Sequence, residues 1–308
     1  MTLHDEGKYE LSLIEYRKAL ELDPKNTVLL YEMALSHYYL GERLKAEDFA
    51  LQASKTSSET GMQAYILLGS IYDESGKPKK SINIYEKAIK EYGDYYLLWF
   101  NMGVTAMSMK DYDLAGEAFM HSANNRLDHA NSHYALGSVM QIQSRRVEAM
   151  IPIYFFLLLE ANTDRSVQAF TTLNDLWKQG VSSSESGVSI DLNEATIKSR
   201  DPFGPAETLV SLIQAHELSV ENEGKTEFEL YVEKLDRLFS LLPELDFGKR
   251  HDFYTQYYIP FFGTIAESEY METFVYYITQ SSFEESKQWV NSHTEELAAF
   301  FDWLDENE

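Results

Sequence analysis

Tyr65-Ile66-Leu67-Leu68-Gly69-Ser70-Ile71-Tyr72 and Trp99-Phe100-Asn101-Met102-Gly103-Val104-Thr105-Ala106 repeat one pattern, with their glycines 34 residues apart. Each has a ring, a large apolar residue three positions on, and then glycine. The same small slot falls at Ala34, Gly69, Gly103 and Gly137. A second ladder late in each period runs Ala19, Ala53, Ala88, Ser122 and Phe156, at intervals of 34 or 35 residues. A period of this length is that of stacked helical hairpins. Neither helix of such a hairpin can bury its apolar face alone, so each copy needs its neighbours.

The slot sits on the first helix, where the second crosses it and little more than a Cβ fits. On the second helix a small residue and a ring four positions later answer it, at Ser12 and Tyr16, Ser81 and Tyr85, and Ala115 and Phe119. Between the helices, Gly7-Lys8, Gly41-Glu42, Ser75-Gly76-Lys77-Pro78 and Lys110-Asp111 are helix stops by their chemistry. The pattern weakens at Ala50, where an aromatic is expected, and at Ile153, where Pro152 predicts a kinked or delayed helix.

These signatures resemble the tetratricopeptide repeat family over about residues 1–180. The resemblance implies an all-α protein: a right-handed solenoid of about four to five helical hairpins, then a C-terminal helical domain. The first hairpin has only a stub of its first helix, which predicts that something outside it covers Ser12–Leu22. Its abrupt start leaves room for earlier residues having been removed. Asp164 to Lys178 reads as a capping helix closed by Gly180. The small polar run Val181–Gly187 opens an expected linker over 181–205.

Residues 206–308 form an acidic, aromatic-rich region of helical patterns that matches no characterised family. Helices are expected at about Ala206–Glu221, Thr226–Leu242, Lys249–Ala266, Glu269–Gln280, Phe283–Asn291 and Thr294–Asp305. Pro260 should bend the third, whose stripe is Tyr254, Tyr258, Phe261, Phe262 and Ile265.

Composition narrows the function classes. The chain has 308 residues, 44% of them apolar, enough for a substantial core. Its net charge of −24 is uneven: residues 1–180 carry 18 basic and 24 acidic side chains, and residues 181–308 carry 8 and 26. A field of that sign repels phosphate backbones and anionic lipid, so no nucleic acid is expected as a partner. No membrane insertion is expected either. The most apolar run, Met150–Leu159, is half the ~20 residues needed to span a bilayer. There is no cysteine, which excludes disulfides and thiol chemistry and fits a soluble, exported (periplasmic) bacterial protein better than a cytoplasmic one.

Catalytic motifs are absent from the sequence: no nucleophile elbow, zinc-binding helix, phosphate-cradling loop or dinucleotide fingerprint. His129 and His133 have a metal-like spacing. The repeat phase instead puts His133 in the slot of the repeat's large ring, a core position, so neither metal nor cofactor is expected.

What the resemblance leaves as a site is the concave face of the first helices. The implied lining is Tyr31, Leu35 and Tyr38; Ile66, Ser70 and Asp73; Phe100, Val104 and Met107; Tyr134, Ser138 and Gln141. Asn101 and Asn131 flank it and could hold a peptide backbone. None of the lining positions is Lys or Arg, so the family subtype that grips a carboxylate is not expected. Two occupants of the groove stay open: an external protein or peptide segment, and the aromatic C-terminal helices packing into it. The expectation is a non-enzymatic interaction scaffold; the alternative is an enzyme with an unrecognised site in 190–308, where His216 or His251 would converge with buried carboxylates.

Overall fold

The computed structural model describes residues 4, 6–184, 187–191, 202–219, 222 and 224–307. The chain forms two compact units, Met1–Leu127 and Asp128–Glu308. The first is a run of antiparallel helices: α1 (Tyr9–Leu22), α2 (Thr27–Tyr39), α3 (Arg43–Ala53), α4 (Glu59–Glu74), α5 (Pro78–Tyr92), α6 (Tyr96–Ser108) and α7 (Tyr112–Asn125). Helices α2 and α3, α4 and α5, and α6 and α7 pair as hairpins.

The slot ladder has a direct steric cause. A Cβ on Gly69 would stand 2.2 Å from Cζ of Tyr85, and one on Gly103 would stand 2.6 Å from Cε1 of Phe119. In each case the ring sixteen residues on occupies the space of the missing side chain. Ala34 has a Cβ, and its opposite number is Ala50; both are fully buried. The expected aromatic at Ala50 is absent because the slot facing it is already filled. Volume is conserved across the pair rather than at either position.

The hairpin turns share one geometry. The N–H of Glu42 reaches the carbonyl of His37, Lys77 that of Tyr72, and Asp111 that of Ala106, the six-to-one bond of a Schellman stop. Each turn needs a left-handed residue, found at Gly41 (φ 75°), Gly76 (φ 72°) and Lys110 (φ 60°). Lys110 holds that conformation without the freedom of glycine.

The second unit begins with the hairpin α8 (Ala130–Ile142) and α9 (Arg146–Leu159), then α10 (Asp164–Lys178). Thr163 and Ser166 form a capping box at the start of α10. A short antiparallel hairpin of β1 (Val181–Ser184) and β2 (Gly187–Ile190) follows, where a linker was expected over 181–205. Ser182 faces Ser189 across the strands, their Oγ atoms 2.8 Å apart, so the small polar run is strand rather than open linker. Residues 192–201 of the expected linker lie outside the described residues. Then come α11 (Gly204–Glu217), α12 (Glu227–Leu241), α13 (Ile259–Glu267), α14 (Met271–Thr279), α15 (Glu284–Ser292) and α16 (Thr294–Asn307). Thr226 and Glu229 close the capping box that their spacing predicts for α12.

The compact units divide at Leu127, not near residue 180. The reason is α9, every residue of which from Arg146 to Leu158 is buried. A helix apolar all round needs cover on all sides, and α8, α10, α11 and α14 supply it. Tyr154 accepts from Trp177 Nε1 at 2.7 Å and lies 3.2 Å from the Tyr231 hydroxyl. Phe155 packs among Tyr257, Tyr258, Phe261 and Phe262. Buried Arg146 pairs with Glu207 at 2.8 Å and donates to Ser211 Oγ and the Gln179 carbonyl.

Pro152 does not delay α9, which runs unbroken through it. Proline has no N–H, so the Glu148 carbonyl four residues back loses its helical donor. The Tyr254 hydroxyl replaces it, donating to that oxygen at 2.8 Å. Pro260 acts similarly on its own helix: residues Tyr254–Tyr258 widen into a π turn, the Ile259 N–H reaching back to the Tyr254 carbonyl.

Candidate protein-binding groove

The groove residues sit on the first helix of each hairpin, one turn apart along one face. Tyr31, Leu35 and Tyr38 on α2, Ile66 on α4, and Phe100 and Met107 on α6 are all half-buried. Val104 is 45% exposed. Their neighbours Met33, Ala34, Leu67, Leu68, Met102 and Gly103, on the opposite faces, are buried. The bases of Tyr31, Leu35 and Tyr38 rest on the core of Ala34, Ala46, Leu68 and Tyr72. Phe100 is braced by Phe119, ring centres 5.6 Å apart. These side chains are thus anchored by one edge while the other meets solvent.

The polar groups of this face are largely spoken for. Ser70 Oγ donates to its own helix at the Ile66 carbonyl, 3.2 Å, and Ser108 Oγ donates to Asp73 Oδ1 at 3.2 Å. Asn101 turns back on its helix, Nδ2 donating to the Leu97 carbonyl at 2.7 Å, so its amide is less available to a peptide than its position suggests. Tyr38 donates to Glu74. Its hydroxyl is pushed up to about 12 by burial and then by that carboxylate, so it stays protonated at neutral pH. Tyr31 is likewise pushed up to about 12, by burial and then by Glu32.

Two cations that the lining positions did not reveal stand beside these rings. Arg43, opening α3, lies 4.5 Å from the Tyr38 ring centre and pairs with Glu74 at 2.5 Å. In the second unit Arg165 lies 5.2 Å from the ring centre of Tyr134 and 3.2 Å from Glu160. Arg43 comes from the next helix and Arg165 from the second helix on, so neither is named by the positions that line the face. Tyr134 is half-buried against Phe156, 4.8 Å between centres, and Asn131 is exposed. Within this unit the C-terminal aromatics pack on α9 and on His133, whose Nδ1 lies 2.6 Å from the Tyr258 hydroxyl. His133 is fully buried, as its ring slot predicts.

The residues weighed for catalysis do not assemble a site. His216 borders a space with Glu217, Asn222 and Lys234 that holds about one water molecule. Lys234 is held below the usual lysine range by burial and pairs with Glu217 at 3.1 Å. His251 is exposed beside Gln256. Among the described residues no three His, Cys, Asp or Glu side chains could share a metal ion, and no helix is long and apolar enough to cross a membrane.

The family model for the tetratricopeptide repeat matches residues 1–26, 63–95 and 96–129. These three stretches are similar to the tetratricopeptide repeat. A curated relative, BBSome complex member BBS4 of Bos taurus, is 27% identical over 139 residues, which are 44% of this chain and 26% of that protein. The chain thus matches about a quarter of that relative's length. Among solved structures, MamA is similar at 18% identity and a TM-score of 0.43, over 57% of this chain and 93% of MamA. YrrB, described as a tetratricopeptide repeat protein with an unusual peptide-binding site, is similar at 19% identity and a TM-score of 0.43, over 55% and 87% of the two chains.

Proposed function

We propose that the protein is a non-enzymatic interaction scaffold that binds a peptide or protein segment along the first-helix face of its repeats. One observation carries this: Ile66 and Phe100, and likewise Leu35 and Val104, stand at equivalent repeat positions and keep an edge in solvent, while Met33, Leu68 and Met102 of the same helices are buried. An apolar line of that kind costs solubility unless it is used. Its partner segment is mainly apolar, because no lining position carries a basic group and Arg43 is held by Glu74. The family match over α4–α7 supports the reading.

Phe100→Ala tests it when stability and partner capture are measured on the same protein. The reading expects capture of the natural partner from extract to fall at least about tenfold, with little change in melting, since the ring is a half-exposed anchor. If melting falls and capture holds, Phe100 serves packing and the groove is not the working surface.

A further inference from the structure

We propose that a cleft between the C-terminal ends of α8 and α10 receives the cationic end of a lysine or arginine side chain from a partner protein. Gln141 of α8, Ser144 of the turn after it, Arg146 of α9, and Asp175, Leu176 and Gln179 at the end of α10 line it. Its volume is about 250 Å³, against the ~10–15 Å³ that admits one water, so a long side chain fits. The floor is fixed. Leu176 and Arg146 are buried, and the Arg146 guanidinium is committed to Glu207, Ser211 Oγ and the Gln179 carbonyl. The turn beside it is held by the Arg145 N–H on the Met140 carbonyl, with Ser144 left-handed at φ 59°.

Charge and unused hydrogen-bonding groups select what enters. Gln141, Ser144, Asp175 and Gln179 are exposed, and among the described residues none of their side chains has a hydrogen bond or an ion pair. Arg146 brings no net charge to the cleft, because Glu207 lies 2.8 Å from it. Lys178, the basic residue in the last turn of α10, is within electrostatic reach of Lys234 on α12 and does not line the cleft. Asp175 is therefore the uncompensated charge of the lining, and the carbonyl ends of two helices add negative potential beside it. An ammonium or guanidinium only donates hydrogen bonds, which suits a carboxylate, two amide oxygens and a hydroxyl. Leu176 gives its aliphatic stem an apolar contact. A ligand carboxylate meets Asp175 instead, and is repelled. The inference holds whether or not the apolar line of α2, α4 and α6 is used.

The test is NMR titration of the isotope-labelled full chain with blocked single amino acids. Acetyl-lysine methylamide and acetyl-arginine methylamide should shift the amides of Gln141, Ser144, Asp175 and Gln179 saturably. Acetyl-norleucine methylamide, which keeps the stem without the charge, and acetyl-glutamate methylamide should bind at least about tenfold less tightly. Asp175→Asn should weaken the lysine compound about tenfold. Gln141→Lys, which puts an ammonium into the cleft from an exposed position, should abolish its shifts. Both variants should melt with the unaltered chain, and Glu295→Gln, a carboxylate lost from α16, should change nothing. Indifference to Asp175→Asn, or equal weakening by Glu295→Gln, means general attraction to an acidic surface and overturns the proposal. Equal binding of the norleucine or glutamate compound overturns it by removing the preference for a cation. Cadaverine carries the same ammonium without a peptide. If it binds at least about tenfold more tightly than the lysine compound, the occupant is a free amine and the assignment to a protein side chain fails. No saturable shift with either cationic compound overturns the proposal as well.

Discussion

Placing a methyl group at residue 103 puts the interlocking of the repeats to a quantitative test. In Gly103→Ala the new Cβ would lie 2.6 Å from Cε1 and 2.7 Å from Cδ1 of Phe119. That ring is 2% exposed and cannot swing into solvent. Alanine gains about 1 kcal/mol over glycine in a helix interior, while overpacking costs about 1–3 kcal/mol. The net expectation is a loss of up to about 2 kcal/mol, opposite in sign to the propensity effect. Phe119→Ala alone should cost about 3–5 kcal/mol by leaving a cavity. The double variant recreates the Ala34 and Ala50 pair that the protein already tolerates. It should therefore cost less than the two singles together, with a coupling of about 1 kcal/mol or more. Urea unfolding, read alongside hydrogen exchange of α6 and α7 amides, measures all four corners of the cycle. A coupling under about 0.3 kcal/mol would refute the reasoning, because the two positions would then be independent.

Three further changes probe other joints. Lys110→Gly should stabilise by about 1 kcal/mol, since a side chain in the left-handed region costs that much and glycine does not pay it; a lower denaturant midpoint contradicts this. Tyr254→Phe should cost about 1–3 kcal/mol by orphaning the Glu148 carbonyl, and Pro152→Ala in the same chain should recover much of it by restoring a helical N–H; an unrecovered loss points to the ring instead. Burial pushes the Tyr85 hydroxyl from its ordinary 10.0 up to about 12. In that window the unfolded chain holds fewer protons than the folded one, so stability present below pH 10 is lost as pH rises towards 12. Tyr85→Phe should flatten that alkaline decline by about 2–3 kcal/mol, and an unchanged alkaline slope in urea titrations counts against the burial argument.

The repeat architecture is readable in sequence because its sterics are local and recurrent. Gly69, Gly103 and their facing rings lie sixteen residues apart, so a fixed period exposes them. Ala50 looked irregular only while it was read without Ala34. What a period cannot carry is a contact made once. Tyr254 meets the carbonyl freed by Pro152 from about a hundred residues away, and neither residue's neighbours announce the other. The all-round apolar run Met150–Leu158 signals a helix covered on every side, but not by which helices, so the repeat phase alone does not separate α8–α10 from the solenoid, although they form one compact unit with the C-terminal helices. The serines at 182–184 have the composition of a linker, yet form half of a strand pair. At the groove, spacing picked side chains that do keep an edge in solvent. It could not show that Asn101 bonds to its own helix, or that Arg43 and Arg165 arrive beside Tyr38 and Tyr134 from later helices.

The central claim is that the first-helix face of the repeats holds the partner, and Val104 gives the cleanest access to it. Val104 is 45% exposed, and Val167 on α10, outside the predicted lining, is 44% exposed. Both can take a charge without entering the core. Quantitative capture of partners from native extract by the unaltered chain, Val104→Asp and Val167→Asp measures the claim directly. The account predicts that Val104→Asp loses a specific partner by about tenfold or more, that Val167→Asp keeps it, and that all three proteins melt together. The same partners retained by Val104→Asp, at unaltered yield, would contradict it.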